Sequence, residues 1–441
     1  MTIDGQATVG VGLLGCGTVG SAVARILLEQ GKVLAARTGI RFTVEAIVVS
    51  DVTKSRKWQP PLDLLTTDAA KVVASPDVDI VIELMGGVSP AAELIDRSLT
   101  AGKQVVTANK ELLAWQGTEL LQHAADSGTR LYFEAAVAGG IPLLRVLQLS
   151  LAAEPVERVA GIVNGTTNFI LSSMAGDGTP YVDALATAKS MGYAEADPTA
   201  DVEGHDAAAK AAVLARVAFG AELTPANVYR EGIVGLPTVA FAIAQELGCT
   251  IKLLALVDRH PANGAVVARV HPTLVPLEHP LAAVNGAYNA VYVEGPWLGD
   301  AMFYGLGAGA APTASAVVGD LVAAARGIPA PLPRPERRVV GTMDVLSARC
   351  CVVATGSDKP GVLSLVDQVF STQDVSLATI AQSRYGDGPK IVLTTRAAPE
   401  HRLRAALRGL RDLDVIDAVD ARIRFFDSEN HDNPAEVGTP S

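Results

Sequence analysis

Apolar runs of strand length, each giving way to helical spacing, fill the first third of the chain. Residues 9–14 form one such run, and Ala22, Val23, Ile26 and Leu27 then recur on one helical face. Strands are predicted again at 42–49, 78–84, 104–107 and 130–134, with a helix over 90–101. Runs without polar alternation mark parallel strands buried on both faces. They predict an α/β protein that opens with a Rossmann-type doubly wound sheet over residues 1–140. From 141 to 304 the pattern changes. A strand at 159–163 and a helix after Gly204, with Ala207, Ala208, Ala211, Val213, Leu214 and Val217, predict an α+β catalytic and dimerisation domain. Residues 305–327, with a helix over 312–325, are expected to return to the first domain. A proline-rich stretch at 327–335 marks a linker over 328–344. Beyond it, strands at 350–355, 390–395 and 421–426 and helices from Asp358 and over 399–410 predict a βαββαβ module spanning 345–427. The polar tail 428–441 is expected to be disordered.

The first strand runs into Gly15-Cys16-Gly17-Thr18-Val19-Gly20 and then a helix, the context a dinucleotide fingerprint requires. Gly15 makes the tight turn, Gly17 lets the backbone approach a pyrophosphate, and Gly20 lets helix and strand pack closely. The helix start at Thr18, Val19 and Gly20 offers N–H groups and positive dipole to phosphates. Cys16 reads as a small residue tolerated in the loop. The second strand ends at Ser50-Asp51, where an acid would bind a ribose 2′-hydroxyl, but Lys54, Arg56 and Lys57 follow and suit a 2′-phosphate. The basic trio tips the expectation to NADP over NAD, against an ordinary solvated loop. Lys110 stands at the carboxyl end of a predicted strand, where such sheets hold ligands.

Residues 192–210 are the most unusual segment. Glu195, Asp197, Asp201, Glu203 and Asp206 precede Lys210, in a chain with only 19% charged residues. Asp206 and Lys210 are spaced to share a helix face. A lysine held by acids suits proton donation to a forming alkoxide, and a solvated salt bridge at a helix start is the plainer alternative. Asn164, Gly165 and Thr166 form a small polar loop that admits a substrate or simply turns the chain.

Composition narrows the class. The net charge of −11 argues against nucleic acid, and no apolar run reaches membrane-spanning length. With Asp4 and no basic start, the N-terminal apolar run is a strand and not a signal peptide. The four cysteines have no ligand spacing. A cytoplasmic enzyme is expected.

The ordered motifs GLLGCGTVG, VTANKELL, EAAVAGGIP, VNGTTN, MGYAEADPTADVEGHDAAAK, FYGLGAGAAPTASAVV and DKPGVL resemble those of homoserine dehydrogenases with a C-terminal ACT domain, over nearly the whole chain. The resemblance implies NAD(P)H-dependent interconversion of L-aspartate 4-semialdehyde and L-homoserine, a step towards threonine, methionine and isoleucine. It implies Lys210 as general acid/base, Lys110 assisting at the carbonyl and cofactor, Asp206 orienting Lys210, Glu195 binding the substrate ammonium, and Asp201 completing the acid cluster. It implies cofactor contacts at Gly192 and Gly307. It also implies a sodium site at Glu134 with the backbone of Val137, Gly139 and Ile141, although a plain tight turn fits that stretch as well. The ACT module would bind L-threonine as an inhibitor, with Gly361 in its ligand-facing loop, or serve only to dimerise. A homodimer or homotetramer is expected. The rivals are another two-domain NAD(P) oxidoreductase, for imino acids or sugars, and a non-catalytic amino-acid sensor. The acid-flanked Lys210 disfavours the first, and the intact set Lys110, Glu195, Asp206 and Lys210 the second.

Overall fold

The computed structural model describes residues 2–3, 6–260, 262–328, 339–385 and 388–427. Most of the proline-rich linker and all of the tail from Ser428 lie outside them. The first sheet runs in the order Leu65–Thr66, Ile40–Val48, Gln6–Leu14, Ile80–Glu83, Gln104–Thr107, Leu131–Tyr132, and all these pairs are parallel. The strand order reverses between Gln6–Leu14 and Ile80–Glu83, which opens a crevice at their carboxyl ends. The doubly wound expectation therefore holds. One face is covered by the helices Ala91–Thr100 and Lys110–Asp126, whose Leu94, Ile95, Leu99, Leu112 and Leu113 are buried. On the other face Val23, Ala24 and Leu27 of Thr18–Glu29 share a core with Ala314, Val317 and Leu321 of Ala310–Ala325.

Several elements differ from the sequence reading, each for a local reason. Residues 30–40, for which no element was predicted, contain the helix Gly31–Thr38, closed by Gly39 at φ 75°. The strand expected at 130–134 shrinks to Leu131–Tyr132, because the Glu134 amide donates to Asp320 (2.7 Å) instead of to a neighbouring strand. The helix expected from Asp358 begins at Val362, after Gly361 takes a left-handed φ of 91°.

Among the described residues the second sheet has ten strands. Gly299–Leu306, Tyr288–Gly295, Arg158–Ile162, Cys249–Arg259 and Val266–Pro276 follow one another antiparallel. Its neighbour beyond Val266–Pro276 is Ile416–Phe425, paired in parallel at Thr273–Arg424 and Leu274–Phe425. Cys350–Gly356, Gly388–Thr395 and Leu377–Tyr385 then extend the sheet antiparallel. With the helices Val362–Thr372 and Glu400–Arg411, these strands give a β-α-β-β-α-β succession. The C-terminal module is thus fused to the catalytic sheet by backbone pairing.

The glycines of the first loop have different duties. A Cβ on Gly20 would sit 2.2 Å from the Gly15 carbonyl oxygen, whereas one on Gly17 meets no atom within 4 Å. Gly20→Val should destabilise the fold by about 1–3 kcal/mol, the usual cost of overpacking, read by denaturant unfolding. Gly17→Val should leave that transition unchanged and weaken NADPH binding at least about tenfold by filling the space a pyrophosphate needs. Unaltered binding in a folded Gly17→Val protein would remove the loop from the nucleotide site.

Candidate active site

Asn164 is where the site starts. It follows the strand Arg158–Ile162, and its Oδ1 accepts from the Thr167 amide (2.9 Å), capping the helix Gly165–Asp177. A side-chain oxygen at this position satisfies an N–H that the first helical turn leaves free. The other end of the same side chain, Nδ2, donates to Asp201 Oδ1 (2.7 Å) and Asp206 Oδ2 (2.9 Å). One cap thereby aims two carboxylates into one place. Asp201 lies on the short helix Thr199–Val202 and Asp206 opens His205–Phe219; the turn between them is closed by Gly204, whose φ of 80° makes it a glycine position.

Lys210, one turn after Asp206, donates to Asp206 Oδ2 (2.7 Å) and to the Val163 carbonyl (2.6 Å). Both side chains are buried, at 7% and 8% exposure. Lys110 binds the other oxygen of Asp206 from the nucleotide-binding part of the chain. Asn109 fixes it there. Its Oδ1 caps Lys110–Asp126 through the Leu112 amide (3.1 Å), and its Nδ2 donates to the Gly87 carbonyl (2.6 Å). Lys110 is about half exposed and faces the open side of the cluster.

The charges explain the titration of the triad. Burial alone would raise the Asp206 carboxyl, but Lys210 and Lys110 together hold it well below the usual carboxylate range. Burial lowers the Lys210 ammonium; Asp206 pulls it up, Lys110 pushes it down, and the net displacement is downward. Lys110 feels less burial relative to its attraction to Asp206 and is raised. Two of the three Lys210 N–H directions are committed, and one remains for a substrate oxygen.

The remaining predicted residues fall around this core. Thr166 donates to the Tyr193 carbonyl (2.6 Å), and the Tyr193 ring packs against Phe169 at 5.1 Å. These contacts pin the loop that carries Gly192 and Glu195. Glu195 is exposed, and among the described residues it has no hydrogen-bond or ion-pair partner. Gly165 and Gly307 allow close packing. A Cβ would meet the Ala287 carbonyl oxygen at 2.7 Å in the first case and Asn289 Nδ2 at 1.9 Å in the second.

A cavity of about 1210 Å³ lies in the crevice, lined by Gly15, Cys16, Gly17, Thr18, Ala310 and Ala311 among others. Thr18–Glu29 begins at Gly17 with no side-chain cap, so its first amides face this space. An open glycine, a helix N-terminus and a roomy crevice fit a dinucleotide. Ser50, Lys54, Arg56 and Lys57 also line the cavity. The Asp51 carboxylate instead accepts from the Thr53 amide (2.8 Å) and hydroxyl (2.7 Å), so it serves its own turn.

The Glu134 side chain, expected at a cation site, has backbone partners in this structure. Its carboxylate accepts three amides, from Leu143 (2.5 Å), Leu144 (2.8 Å) and Arg145 (2.7 Å). It caps the segment after the turn. Gly139 abuts the Gly307 carbonyl, where a Cβ would come within 2.3 Å.

Sequence reasoning missed Glu83. Fully buried, it accepts from the Met85 amide (2.7 Å) and the Thr107 hydroxyl (2.6 Å), and so ties the strand ends that floor the crevice. The signal was a carboxylate inside an otherwise apolar strand. Among the described residues no helix is long and apolar enough to cross a membrane, and no group of three or more His, Cys, Asp or Glu is arranged to hold a metal.

Comparisons with known proteins fall on both halves of the site. Residues 15–134 match the family model "Homoserine dehydrogenase, NAD binding domain" and residues 142–322 match "Homoserine dehydrogenase". The homoserine dehydrogenase of Mycobacterium tuberculosis is 50% identical over 434 residues, covering 95% of this chain and 98% of the relative. A solved homoserine dehydrogenase from Thiobacillus denitrificans superposes with a TM-score of 0.89 at 38% identity, over 96% of this chain and all of the other. A hyperthermophilic archaeal homoserine dehydrogenase, solved in complex with NADPH, matches at TM-score 0.60 and 26% identity over 73% of this chain and 99% of its own. With both parts matched by one family and relatives aligned nearly end to end, this chain belongs to the homoserine dehydrogenases, NAD(P)-dependent oxidoreductases that interconvert L-homoserine and L-aspartate 4-semialdehyde.

Proposed function

We propose that Lys210 moves the proton in this reaction and that Lys110 and Asp206 hold it to that task. The observation that carries the reading is a buried lysine whose ammonium spans the Val163 carbonyl and Asp206 while Lys110 takes the second oxygen of the same carboxylate. The nicotinamide, when bound, supplies the hydride chemistry. As the aldehyde oxygen gains negative charge, the free N–H of Lys210 donates to it, and Lys110 polarises the same oxygen. In the reverse direction neutral Lys210 accepts the hydroxyl proton. Asp206 keeps both ammonium groups within reach, and exposed Glu195 is available to bind the substrate ammonium.

Lys210→Ala should lower kcat by about 10²–10⁴, the usual worth of a general acid, with nucleotide affinity unchanged. Glu195→Gln should mainly raise KM for homoserine. Near wild-type kcat in Lys210→Ala would pass the role to Lys110. The pH profile follows from the sign of the shift. Homoserine oxidation needs neutral Lys210, so its rate should rise with pH through a value below the ordinary lysine 10.5. Aldehyde reduction should fall over the same range. Asp206→Asn removes the charge that raises Lys210 and should move both limbs to lower pH in the residual activity.

For the nucleotide we propose NADP. Support comes from Lys54, Arg56 and Lys57 lining the cavity while Asp51 is taken up by Thr53, and from the NADPH seen in the archaeal relative. Lys54→Ala combined with Arg56→Ala should raise KM for NADPH at least about tenfold, the scale of a lost charge-assisted hydrogen bond, and leave NADH almost unaffected. Equal loss with both nucleotides would deny these residues a part in the choice.

We also propose that the β-α-β-β-α-β module is of ACT type and binds L-threonine, with Gly361 at the start of Val362–Thr372 giving close access to a ligand. A homodimer is proposed through the exposed apolar edge at Tyr288, Met302, Tyr304 and Leu306. Threonine should inhibit the full chain with a coupling of about 1–3 kcal/mol. Full activity in saturating threonine, with sedimentation still giving a dimer, would reduce the module to an architectural role.

A further inference from the structure

A short segment, residues 229–233, is held by the C-terminal module on one side and packs against the catalytic turn on the other. Tyr229–Arg230 adds a short parallel strand to Val266–Pro276, paired at Tyr229–Arg269 and Arg230–Val270. The next residue, Glu231, donates its amide to the Val270 carbonyl (2.8 Å) and sends its carboxylate to the module. There it meets Arg422 and Arg424, both on the last strand Ile416–Phe425. Arg424 is only 2% exposed; its other partner is Glu400, 1% exposed, at the head of Glu400–Arg411. The Tyr229 hydroxyl lies between, donating to Glu231 and accepting from Arg422 (2.9 Å), while the Arg424 guanidinium stacks over its ring at 5.2 Å. Two carboxylates and two guanidiniums balance, and each guanidinium reaches both acids.

The opposite side of the segment lies on the turn that joins Asp201 to Asp206. Ile233, fully buried, donates its amide to the Val202 carbonyl (2.8 Å). Gly232 lies so close that a Cβ would come 2.4 Å from the Val202 oxygen and 2.6 Å from the Glu203 Cα. Arg230 donates to the Glu203 carbonyl (2.6 Å), and its Cγ lies 3.4 Å from where a Gly204 Cβ would be. Val202, Glu203 and Gly204 are three of the four residues between Asp201 and Asp206. Their turn has little room to move, because the Gly204 amide closes on the Asp201 carbonyl (2.9 Å).

We infer that residues 229–233 transmit the position of the module's last strand to Asp201 and Asp206, with Glu231 as a positioning residue for the reaction. A shift of Ile416–Phe425 relative to Val266–Pro276 displaces Glu231. Gly232 and Ile233 have no slack against Val202 and Glu203, so the carboxylates that orient Lys210, Lys110 and Asn164 move with them. The inference rests on the reading of Asp206 as part of the catalytic cluster.

The test uses the full chain and three single variants, Glu231→Gln, Arg230→Met and Asp206→Asn, with kcat, KM for homoserine and the NADPH dissociation constant measured for each. Glu231→Gln keeps the side chain's shape and removes its charge. Arg230→Met acts at the exposed end of the relay, away from the buried ion cluster. Both should raise KM for homoserine and lower kcat, so that kcat/KM drops about tenfold, short of the roughly hundredfold that an ångström of misplacement costs, while NADPH affinity holds. A smaller folded fraction would lower apparent kcat without moving KM, so the KM change separates positioning from lost protein. Wild-type kcat and KM in folded Glu231→Gln overturn the inference. If that variant does not fold, wild-type kinetics in Arg230→Met overturn it, as does an equal loss of NADPH binding. Asp206→Asn with near wild-type kcat overturns the catalytic reading itself. A crippled Asp206→Asn beside unaffected Glu231→Gln and Arg230→Met removes the relay alone.

Discussion

The site depends on a single buried carboxylate placed between two ammonium groups. Asp206 faces Lys210 from its own helix and Lys110 from the nucleotide-binding part. Burying one charge is costly unless it is paired. Asp206 is paired twice, and its proton affinity falls far below the ordinary value despite burial. The relation also runs the other way. Lys210 is buried with a carbonyl and this one carboxylate as partners, so without Asp206 it would be a desolvated cation facing another cation. Removing a buried member of such a set costs about 3–5 kcal/mol, which makes the triad a tie between the two halves of the molecule.

Side chains that cap helices do much of the positioning. Asn164 and Asn109 each satisfy a helix start with the oxygen of an amide group and use its nitrogen elsewhere, for Asp201 and Asp206 in one case and the Gly87 loop in the other. Glu134 caps with both carboxylate oxygens. An amide side chain that caps a helix is fixed at one end by backbone geometry, so its other end is aimed without a separate support.

The parts of this architecture visible in the sequence are those encoded locally. The glycine loop, the parallel strands of the first sheet and the alanine-rich helix from His205 each write their geometry into adjacent residues. The meeting of Lys110 with Asp206 was not readable from spacing, since 96 positions separate them; it came from the family resemblance. The fusion of the two sheets was not foreseen at all. It rests on two residue pairs, Thr273–Arg424 and Leu274–Phe425, and β pairing over such distances leaves no periodicity of its own. Glu134 is ambiguous in sequence because a carboxylate near a glycine-rich turn looks alike whether it meets a cation or three amides. Glu231 and Arg424 carry no local signal in sequence, and only packing shows them sharing one partly buried cluster.

The parallel join between Val266–Pro276 and Ile416–Phe425 also bears on how the molecule is made. During synthesis the catalytic sheet can pair through residue 306 long before the strand that covers Thr273 and Leu274 leaves the ribosome. Until then that edge presents unpaired amides and carbonyls, the kind of border that recruits other strands. Its closing contact spans about 150 residues of chain and belongs to the class of non-local pairings that form late. A chain that stalls or is nicked between the two strands would keep a nucleotide-binding half already packed beside an unfinished sheet edge, the combination that makes partly folded intermediates prone to aggregate.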